Sequence, residues 1–148
     1  MLANRDGKLI GWGRNDFGQL GDGGRENKLK PRVNTSVTEA IIRLETGSQH
    51  AVAVSRLGNI LSWGGNRKGQ LGNGTFTSDT VPRIIESLQH RPVVGLACGE
   101  SHTLVITVTG NVYAWGNNRY TFFARHFNCY SSDLFFGIQL RTTWVRRP

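Results

Sequence analysis

Cysteine, methionine and proline are scarce in this 148-residue chain, which has two, one and four of them. Cys98 and Cys129 do not have the spacing of a metal site, and Cys98 lies in an apolar run. We therefore expect a buried free thiol in a reducing compartment. Because His90 and His126 also lack partners at metal-binding spacing, the sequence predicts no metal site.

Long hydrophobic runs are absent as well. No apolar stretch approaches the roughly 18 residues of a membrane span, and residues 1–7 have no hydrophobic core of a signal peptide. We therefore expect a cytoplasmic or nuclear protein with no membrane partner. Helical patterns are restricted to 38–44 and 84–89, which are too short to predict stable helices.

Glycine, by contrast, is abundant at 19 residues, and this favours many short strands joined by tight turns. The net charge of +8 is unevenly spread. Residues 1–118 hold thirteen Lys and Arg against nine Asp and Glu, whereas residues 119–148 hold five Arg against Asp133. Nucleic acid is therefore not an expected partner, except through the basic tail.

One sequence motif recurs along the chain. Residues 58–72 read GNILSWGGNRKGQLG, residues 7–21 read GKLIGWGRNDFGQLG, and residues 110–118 read GNVYAWGNN. Trp12, Trp63 and Trp115 are consequently 51 and 52 residues apart, a period typical of a propeller or solenoid. Apolar runs and turn signals within each period predict four short strands, the content of one propeller blade.

A Gly-x-x-His turn precedes each hairpin, at 47–50 and 99–102. Together with the Trp-Gly-x-Asn and Gly-Gln-Leu-Gly elements, it resembles the regulator of chromosome condensation repeat family over about residues 1–118. The resemblance implies an all-β fold, namely an incomplete β-propeller of four-stranded antiparallel blades and a fragment of a seven-bladed ring. We expect either a piece of a longer protein or a chain completed by other chains.

Residues 119–148 lose the repeat and become rich in aromatics and arginine. Such an abrupt change inside a motif is typical of another reading frame, a retained intron or an alternative exon. The alternative is a genuine tail that docks on a partner or an anionic surface. We predict that this tail is not part of the repeat fold.

Most recurring residues are predicted to serve the architecture. The tryptophans would each bury a strand end against the neighbouring blade, with a ligand cage as the alternative. The histidines would satisfy backbone groups, the asparagines Asn15, Asn66 and Asn117 would bond the loop backbone, and the glycines would allow positive φ and close backbone approach. The structural repeat residues are Trp12, Trp63, Trp115, His50, His102, Gly18, Gly21, Gly69 and Gly72.

No catalytic or cofactor-binding residue is predicted. Residues 99–102 superficially resemble a serine nucleophile turn, but Thr103 replaces the glycine that this turn requires. Residues 64–69 resemble a phosphate-binding loop, but the lysine and hydroxyl of a Walker loop are missing. We therefore expect a binding module rather than an enzyme, with no cofactor.

Positions that differ between copies are better candidates for partner binding, because the architecture does not dictate them. Asp16 corresponds to Arg67 and Phe17 to Lys68, within loops expected to lie on one face of a propeller. We expect a protein-interaction module with a protein partner, and the resemblance suggests a regulator of a small GTPase or a scaffold of a larger regulatory protein. The alternatives are nucleotide exchange on a Ran- or Rab-like GTPase and the substrate-binding part of a HECT-type ubiquitin ligase.

Overall fold

The computed structural model describes residues 1–117 and the backbone of the strand Gly137–Arg141. These residues form eleven strands and one short 3-10 helix at Glu86–Leu88. The strands are β1 Leu2–Ala3, β2 Leu9–Gly13, β3 Lys28–Val33, β4 Ile41–Thr46, β5 His50–Ser55, β6 Ile60–Gly64, β7 Asp79–Ile84, β8 Val93–Cys98, β9 His102–Thr107, β10 Asn111–Gly116 and β11 Gly137–Arg141.

Three antiparallel sheets follow one another along the chain. The first has the order β1-β2-β3, the second β4-β5-β6-β7 and the third β8-β9-β10-β11. Each sheet is a meander of strands adjacent in sequence, which suits short strands joined by tight turns. The predicted all-β architecture with four-stranded antiparallel blades is therefore confirmed.

The third sheet takes its fourth strand from the tail. β11 pairs with β10 from Asn111↔Arg141 to Trp115↔Gly137, although it falls within the segment 119–148 that we predicted to stand apart from the repeats. For these five residues the expectation needs correction, because the unpaired edge of β10 is covered by a strand. The other tail residues, including Cys129 and His126, lie outside the described residues, so the boundary at 118 stays a prediction.

The hairpin of β5 and β6 shows how the sequence sets the local structure. Its strands pair from His50↔Gly64 to Val54↔Ile60, and the Ser55 and Asn59 backbones close the turn between them at 2.9 Å. Where β6 meets β7 the register shifts between Ser62 and Gly64. Trp63 therefore pairs with Ala51 of β5 but has no paired residue in β7.

The two central strands of the second sheet are buried on both faces. Every residue of β5 and β6 is buried, and alternate residues of β5 face different neighbours, as the two-residue period of a strand requires. Ala51 and Ala53 pack with Trp63 against Leu9 of the first sheet. Val52 and Ile60 of the second sheet pack against Val105 and Trp115 of the third.

Candidate functional site

The best-defined structural feature of the described residues is the contact between consecutive sheets. The indole Nε1 of Trp63 donates a hydrogen bond to the carbonyl oxygen of Gln19, at 2.9 Å, in the loop of the preceding sheet. Trp115 makes the same bond to the carbonyl of Gln70, at 2.8 Å. Each tryptophan is thus held by the Gly-Gln-Leu-Gly turn of the previous repeat, and we call this turn the clasp.

The last glycine of each clasp makes room for the indole. A Cβ on Gly72 would lie 2.6 Å from Nε1 of Trp115, and a Cβ on Gly21 would lie 2.7 Å from Nε1 of Trp63. Both glycines also have positive φ, +67° and +70°. Sterics and backbone conformation therefore both demand glycine at these positions.

The first clasp and the residues that follow it also contact the outer strand of the next sheet. The amide N–H of Gly23 donates to the carbonyl of Thr80 in β7 at 2.9 Å, and a Cβ on Gly18 would lie 2.8 Å from the Thr80 Cα. Gly69, the matching residue of the second clasp, lies instead against the ring of Phe76. Gly18 and Gly21 thus both act between sheets.

Trp12 does not share the environment of its two counterparts. Trp63 is fully buried and Trp115 is 7% exposed, whereas Trp12 is 41% exposed. Among the described residues, no carbonyl accepts a hydrogen bond from the Trp12 indole and no clasp glycine lies against it. The expectation that all three tryptophans are buried alike is therefore wrong for Trp12.

His50 links the second sheet to the third. Its Nε2 lies 3.0 Å from Oγ1 of Thr103, and the Thr103 hydroxyl donates to the Gln70 carbonyl, also at 3.0 Å. Because that hydroxyl proton is used, Nε2 is the protonated nitrogen that donates to Thr103. The predicted role of satisfying backbone groups is therefore corrected, since the His50 ring bonds a side chain of the next sheet.

The protonation state of His50 follows from its burial. Burial, and secondarily the nearby His102, lowers the pKa of His50 from 6.5 to about 4. Its Nδ1 is buried and has no hydrogen-bond partner among the described residues. A neutral imidazole is therefore the form that fits this junction. His102, which is half-buried, occupies the corresponding turn of the third sheet, with its ring against Gly99.

Buried asparagines hold the loops that carry the clasps. Oδ1 of Asn15 accepts the Leu20 N–H at 2.9 Å, and its Nδ2 donates to the Gly24 carbonyl at 3.2 Å. Asn66 accepts the Leu71 N–H at 3.0 Å and donates to the Thr77 carbonyl at 3.0 Å. The predicted bonding of the loop backbone is thus confirmed for both residues.

The four partner-binding candidates lie in these two loops, 14–27 and 65–78. Asp16 is exposed and pairs with Arg14 at 2.5 Å, and the Arg14 guanidinium lies 5.9 Å from the ring centroid of Phe17, which is half-buried. Arg67 and Lys68 are both exposed. The structure therefore brings the candidates together two by two, one pair in each loop.

Phe76 is a surface residue that the sequence analysis did not single out. It is 54% exposed, and its ring lies 3.5 Å from the position of a Cβ on Gly69, in the loop that carries Arg67 and Lys68. Its position in a loop that varies between copies was the available signal. An exposed aromatic in the same loop as an arginine is a typical composition of a protein-binding surface.

Two further ionisable groups show how burial sets charge. Burial raises the pKa of the Asp22 carboxyl, but hydrogen bonds from Gly24 and Asn15, with the charge of Lys28, outweigh it and lower that pKa overall. Burial raises the pKa of Cys98 to about 12, so its thiol stays protonated and is a poor nucleophile. Neither group has the environment of a reactive residue.

Within residues 1–117, no three His, Cys, Asp or Glu side chains come together in a way that could hold a metal ion. No helix in this part of the chain has the length and apolar character needed to cross a membrane.

The chain matches known repeat proteins over most of its length. The model of the regulator of chromosome condensation (RCC1) repeat matches residues 6–54 and 58–106, and a second model of the same description matches 41–70 and 93–121. The E3 ubiquitin-protein ligase HERC2 of Mus musculus is 31% identical over 80% of this chain and 2% of HERC2. Protein RCC2 of Mus musculus is 34% identical over 81% of this chain and 23% of RCC2.

Solved structures show the same fold. Human WBSCR16 superposes with a TM-score of 0.76 at 21% identity, covering 96% of this chain and 36% of that one. Prp20p of Saccharomyces cerevisiae gives 0.67 at 27% identity, covering 78% and 30%. The chain thus spans only a small part of each relative, and its three sheets are part of a β-propeller. With two matched repeats and this arrangement of sheets, the chain belongs to the regulator of chromosome condensation (RCC1) repeat family.

Proposed function

We propose that this chain acts as a protein-interaction module that regulates a small GTPase, and that it binds this partner through the loops 14–27 and 65–78. The observation that carries the proposal is a division of labour within each loop. The buried Asn15 and Asn66 fix the backbone in the same way in both repeats, while exposed neighbours differ. A rigid frame with variable side chains is typical of a recognition surface.

The chemistry of the second loop indicates the kind of partner. Arg67 and Lys68 have no carboxylate within ion-pair distance among the described residues, whereas Arg14 in the first loop is paired with Asp16. The second loop therefore presents positive charge without an ion-pair partner, and the same loop carries the exposed Phe76. Such a surface suits a partner with an acidic, partly apolar patch.

The relatives support a regulatory role without fixing the partner. Prp20p, which is 27% identical, is described by its binding to Gsp1p and histones. Because this chain covers 30% of Prp20p, its partner remains part of the proposal. We propose a Ran-like GTPase as the first partner to test, with the chain in the cytoplasm or the nucleus.

Binding to a Ran-like GTPase, measured by calorimetry with the full chain, tests this proposal. The double variant Arg67→Glu/Lys68→Glu should weaken binding by about tenfold or more, because both charges would oppose an acidic patch. The matched control is Arg5→Glu/Arg56→Glu, which makes the same change of charge on exposed residues. These two residues lie in the turns before β2 and β6, whereas the candidate loops follow those strands. Equal weakening by both pairs, or no binding by the unmodified chain, would contradict the proposal.

Nucleotide exchange is the finer form of this function. In this form the loops would disturb the nucleotide site of the GTPase without covalent chemistry, so no catalytic triad is needed. Release of a fluorescent nucleotide from the GTPase, with and without the chain, measures it. Binding of the GTPase without faster nucleotide release would support the interaction module and rule out nucleotide exchange.

The 31% identity with HERC2 favours a second candidate, the substrate-binding part of a ubiquitin ligase. In that case the same loops would hold a protein to be modified by a catalytic domain elsewhere. The variant pairs at 67/68 and 5/56 separate the two candidates when captured partners are identified. A loop-dependent partner that is not a GTPase would favour the ligase.

A further inference from the structure

The sequence contains one Asn-Gly pair, Asn73-Gly74, and it lies in the loop 65–78 directly after the second clasp. Gly74 is exposed, and the position of a Cβ on it has nothing within 4 Å. Among the described residues, none accepts a hydrogen bond from the Gly74 amide N–H. The backbone nitrogen that follows Asn73 is therefore accessible and unhindered by a side chain.

The side-chain carbonyl of Asn73 is surrounded by hydrogen-bond donors. Its Oδ1 accepts from Nδ2 of Asn66 at 3.1 Å, from the backbone N–H of Thr75 at 3.1 Å and from the Thr75 hydroxyl at 2.9 Å. Asn66 is fully buried and is itself held by the Leu71 N–H. Fixed donors around one carbonyl oxygen stabilise negative charge that develops on it, as in an oxyanion hole.

From these contacts we propose that Asn73 is a modification site, at which the loop 65–78 promotes the conversion of its own asparagine to aspartate. The Gly74 amide nitrogen loses its proton to water and attacks Cγ of Asn73, so that Oδ1 becomes an oxyanion facing its three donors. The bond from Cγ to the side-chain nitrogen then breaks, and ammonia leaves with a proton taken from water.

Water completes the conversion by opening the succinimide ring that results. Attack of water at Cγ gives aspartate and returns the N–H to Gly74, whereas attack at the backbone carbonyl of residue 73 gives isoaspartate. The overall reaction consumes one water and releases one ammonia, so no oxidant or reductant takes part.

The first repeat shows that this frame accepts the aspartate product. Asp22 occupies the position that corresponds to Asn73. Its Oδ1 accepts hydrogen bonds from Nδ2 of Asn15 at 3.0 Å and from the Gly24 N–H at 3.1 Å. These bonds match two of the three that Asn73 accepts, so an aspartate at this position fits the second loop as well.

The charge around the product differs between the two loops. The Lys28 ammonium lies 3.5 Å from the Asp22 carboxylate, but the residue that corresponds to Lys28 in the second repeat is Asp79. A carboxylate at residue 73 therefore adds negative charge that this lysine does not offset. In the loop 65–78 it should weaken the binding of an acidic partner, a consequence that rests on the proposed function, whereas the conversion itself does not.

Mass spectrometry of the full chain, incubated at neutral pH and then digested, tests the conversion. The amide-to-acid change at residue 73 should be faster in the folded chain than in the chain unfolded by urea, because unfolding removes the donors. Thr75→Val deletes one donor and should slow the conversion in the folded chain by about tenfold, less than the loss of such a donor costs in a water-excluded active site. Thr77→Val, at an exposed position of the same loop, is the matched control and should leave the rate unchanged.

Two results would overturn the proposal. One is a conversion that is no faster in the folded chain than in urea, and the other is an equal rate in the two valine variants. The comparison with urea needs only the unmodified chain, so it decides the question if thermal melting shows that Thr75→Val is unfolded.

Calorimetry with the Ran-like GTPase tests the consequence for binding. Asn73→Asp should weaken binding by about threefold or more, because one added charge would oppose the acidic patch. Gln89→Glu makes the same amide-to-acid change at an exposed residue outside the candidate loops and should leave binding unchanged. Equal affinities of these two variants would remove the consequence for binding, whereas no binding by the unmodified chain would contradict the proposed function alone.

Discussion

Trp12 and Trp63 occupy the same position in two copies of one phrase, yet one is 41% exposed and the other is fully buried. Each lies near the end of a short strand that is followed by a glycine-rich loop of similar sequence. What differs is the neighbour, because Trp63 lies against the clasp at Gln19, whereas no clasp among the described residues lies against Trp12. The burial of these tryptophans is therefore a property of the junction between sheets.

The second copy of the repeated motif contributes to two different junctions between sheets. Its tryptophan and its clasp look like one local motif, but they act at different junctions. The clasp at 18–21 holds Trp63 and the clasp at 69–72 holds Trp115. Each repeat is thus incomplete alone, and each junction joins residues separated by 44 or 45 positions in sequence.

The largest expected effect separates the two tryptophans. Trp63→Ala should lower the free energy of unfolding by about 3 to 5 kcal/mol, because it empties a fully buried site. Trp12→Ala should cost less than about 1 kcal/mol, as expected for a substitution on an open surface. Urea unfolding of both variants measures the difference. Equal losses would show that burial at the junction does not decide their contribution.

The next effect tests the clasp with two glycines of similar backbone conformation. Gly72→Ala should cost about 3 kcal/mol or more, because the new Cβ meets Trp115 as well as a positive φ. Gly74 has φ +73° but nothing within 4 Å of its Cβ position. Gly74→Ala should therefore cost only about 1 to 2 kcal/mol from backbone strain. If the two variants unfold at the same urea concentration, the indole contact is unimportant.

Much of the fold followed from local sequence signals. The spacing of Trp12, Trp63 and Trp115 predicted the repeat, and the alternation of apolar residues in 51–55 predicted a strand of a hairpin. Both depend on neighbours in sequence, so pattern analysis reaches them. The predicted loop positions of Asp16 and Arg67 rest on the same repeat.

The pairing across junctions was less accessible, because it joins residues of different repeats. The burial of Trp63 depends on the first sheet, which the sequence of its own strand and loop does not reveal. The partner of His50 could not be found from the repeat either, since Thr103 corresponds to Ala51 in the preceding copy. Only a hydroxyl present in one copy and absent from the other signalled that contact.

The stability of the junction between the second and third sheets should also depend on pH, through His50. Its pKa is about 4 in the folded protein, against 6.5 ordinarily. As the pH falls, the unfolded chain therefore binds the proton before the folded protein does. The stability that depends on a neutral His50 is complete above pH 6.5 and is lost as the pH falls toward 4. The loss should reach as much as about 3 kcal/mol.

His50→Gln removes the titrating group, so its unfolding free energy should fall less steeply between pH 6.5 and pH 4. Urea unfolding of both proteins at several pH values in this window provides the comparison. Parallel pH profiles would assign the acid sensitivity to other groups.

The smallest effect concerns the difference between the two junctions themselves. Thr103→Ala gives the third sheet the same residue type that the second sheet has at the corresponding position, Ala51. The change also leaves the His50 Nε2–H without its acceptor. A buried donor left unpaired should cost about 1 to 2 kcal/mol in unfolding free energy at neutral pH. Thr77→Ala, at an exposed position, is the matched control and should have almost no effect. A Thr103→Ala protein as stable as the control would mean that packing alone, without the hydrogen bonds from His50 to Thr103 and from Thr103 to Gln70, holds the second and third sheets together.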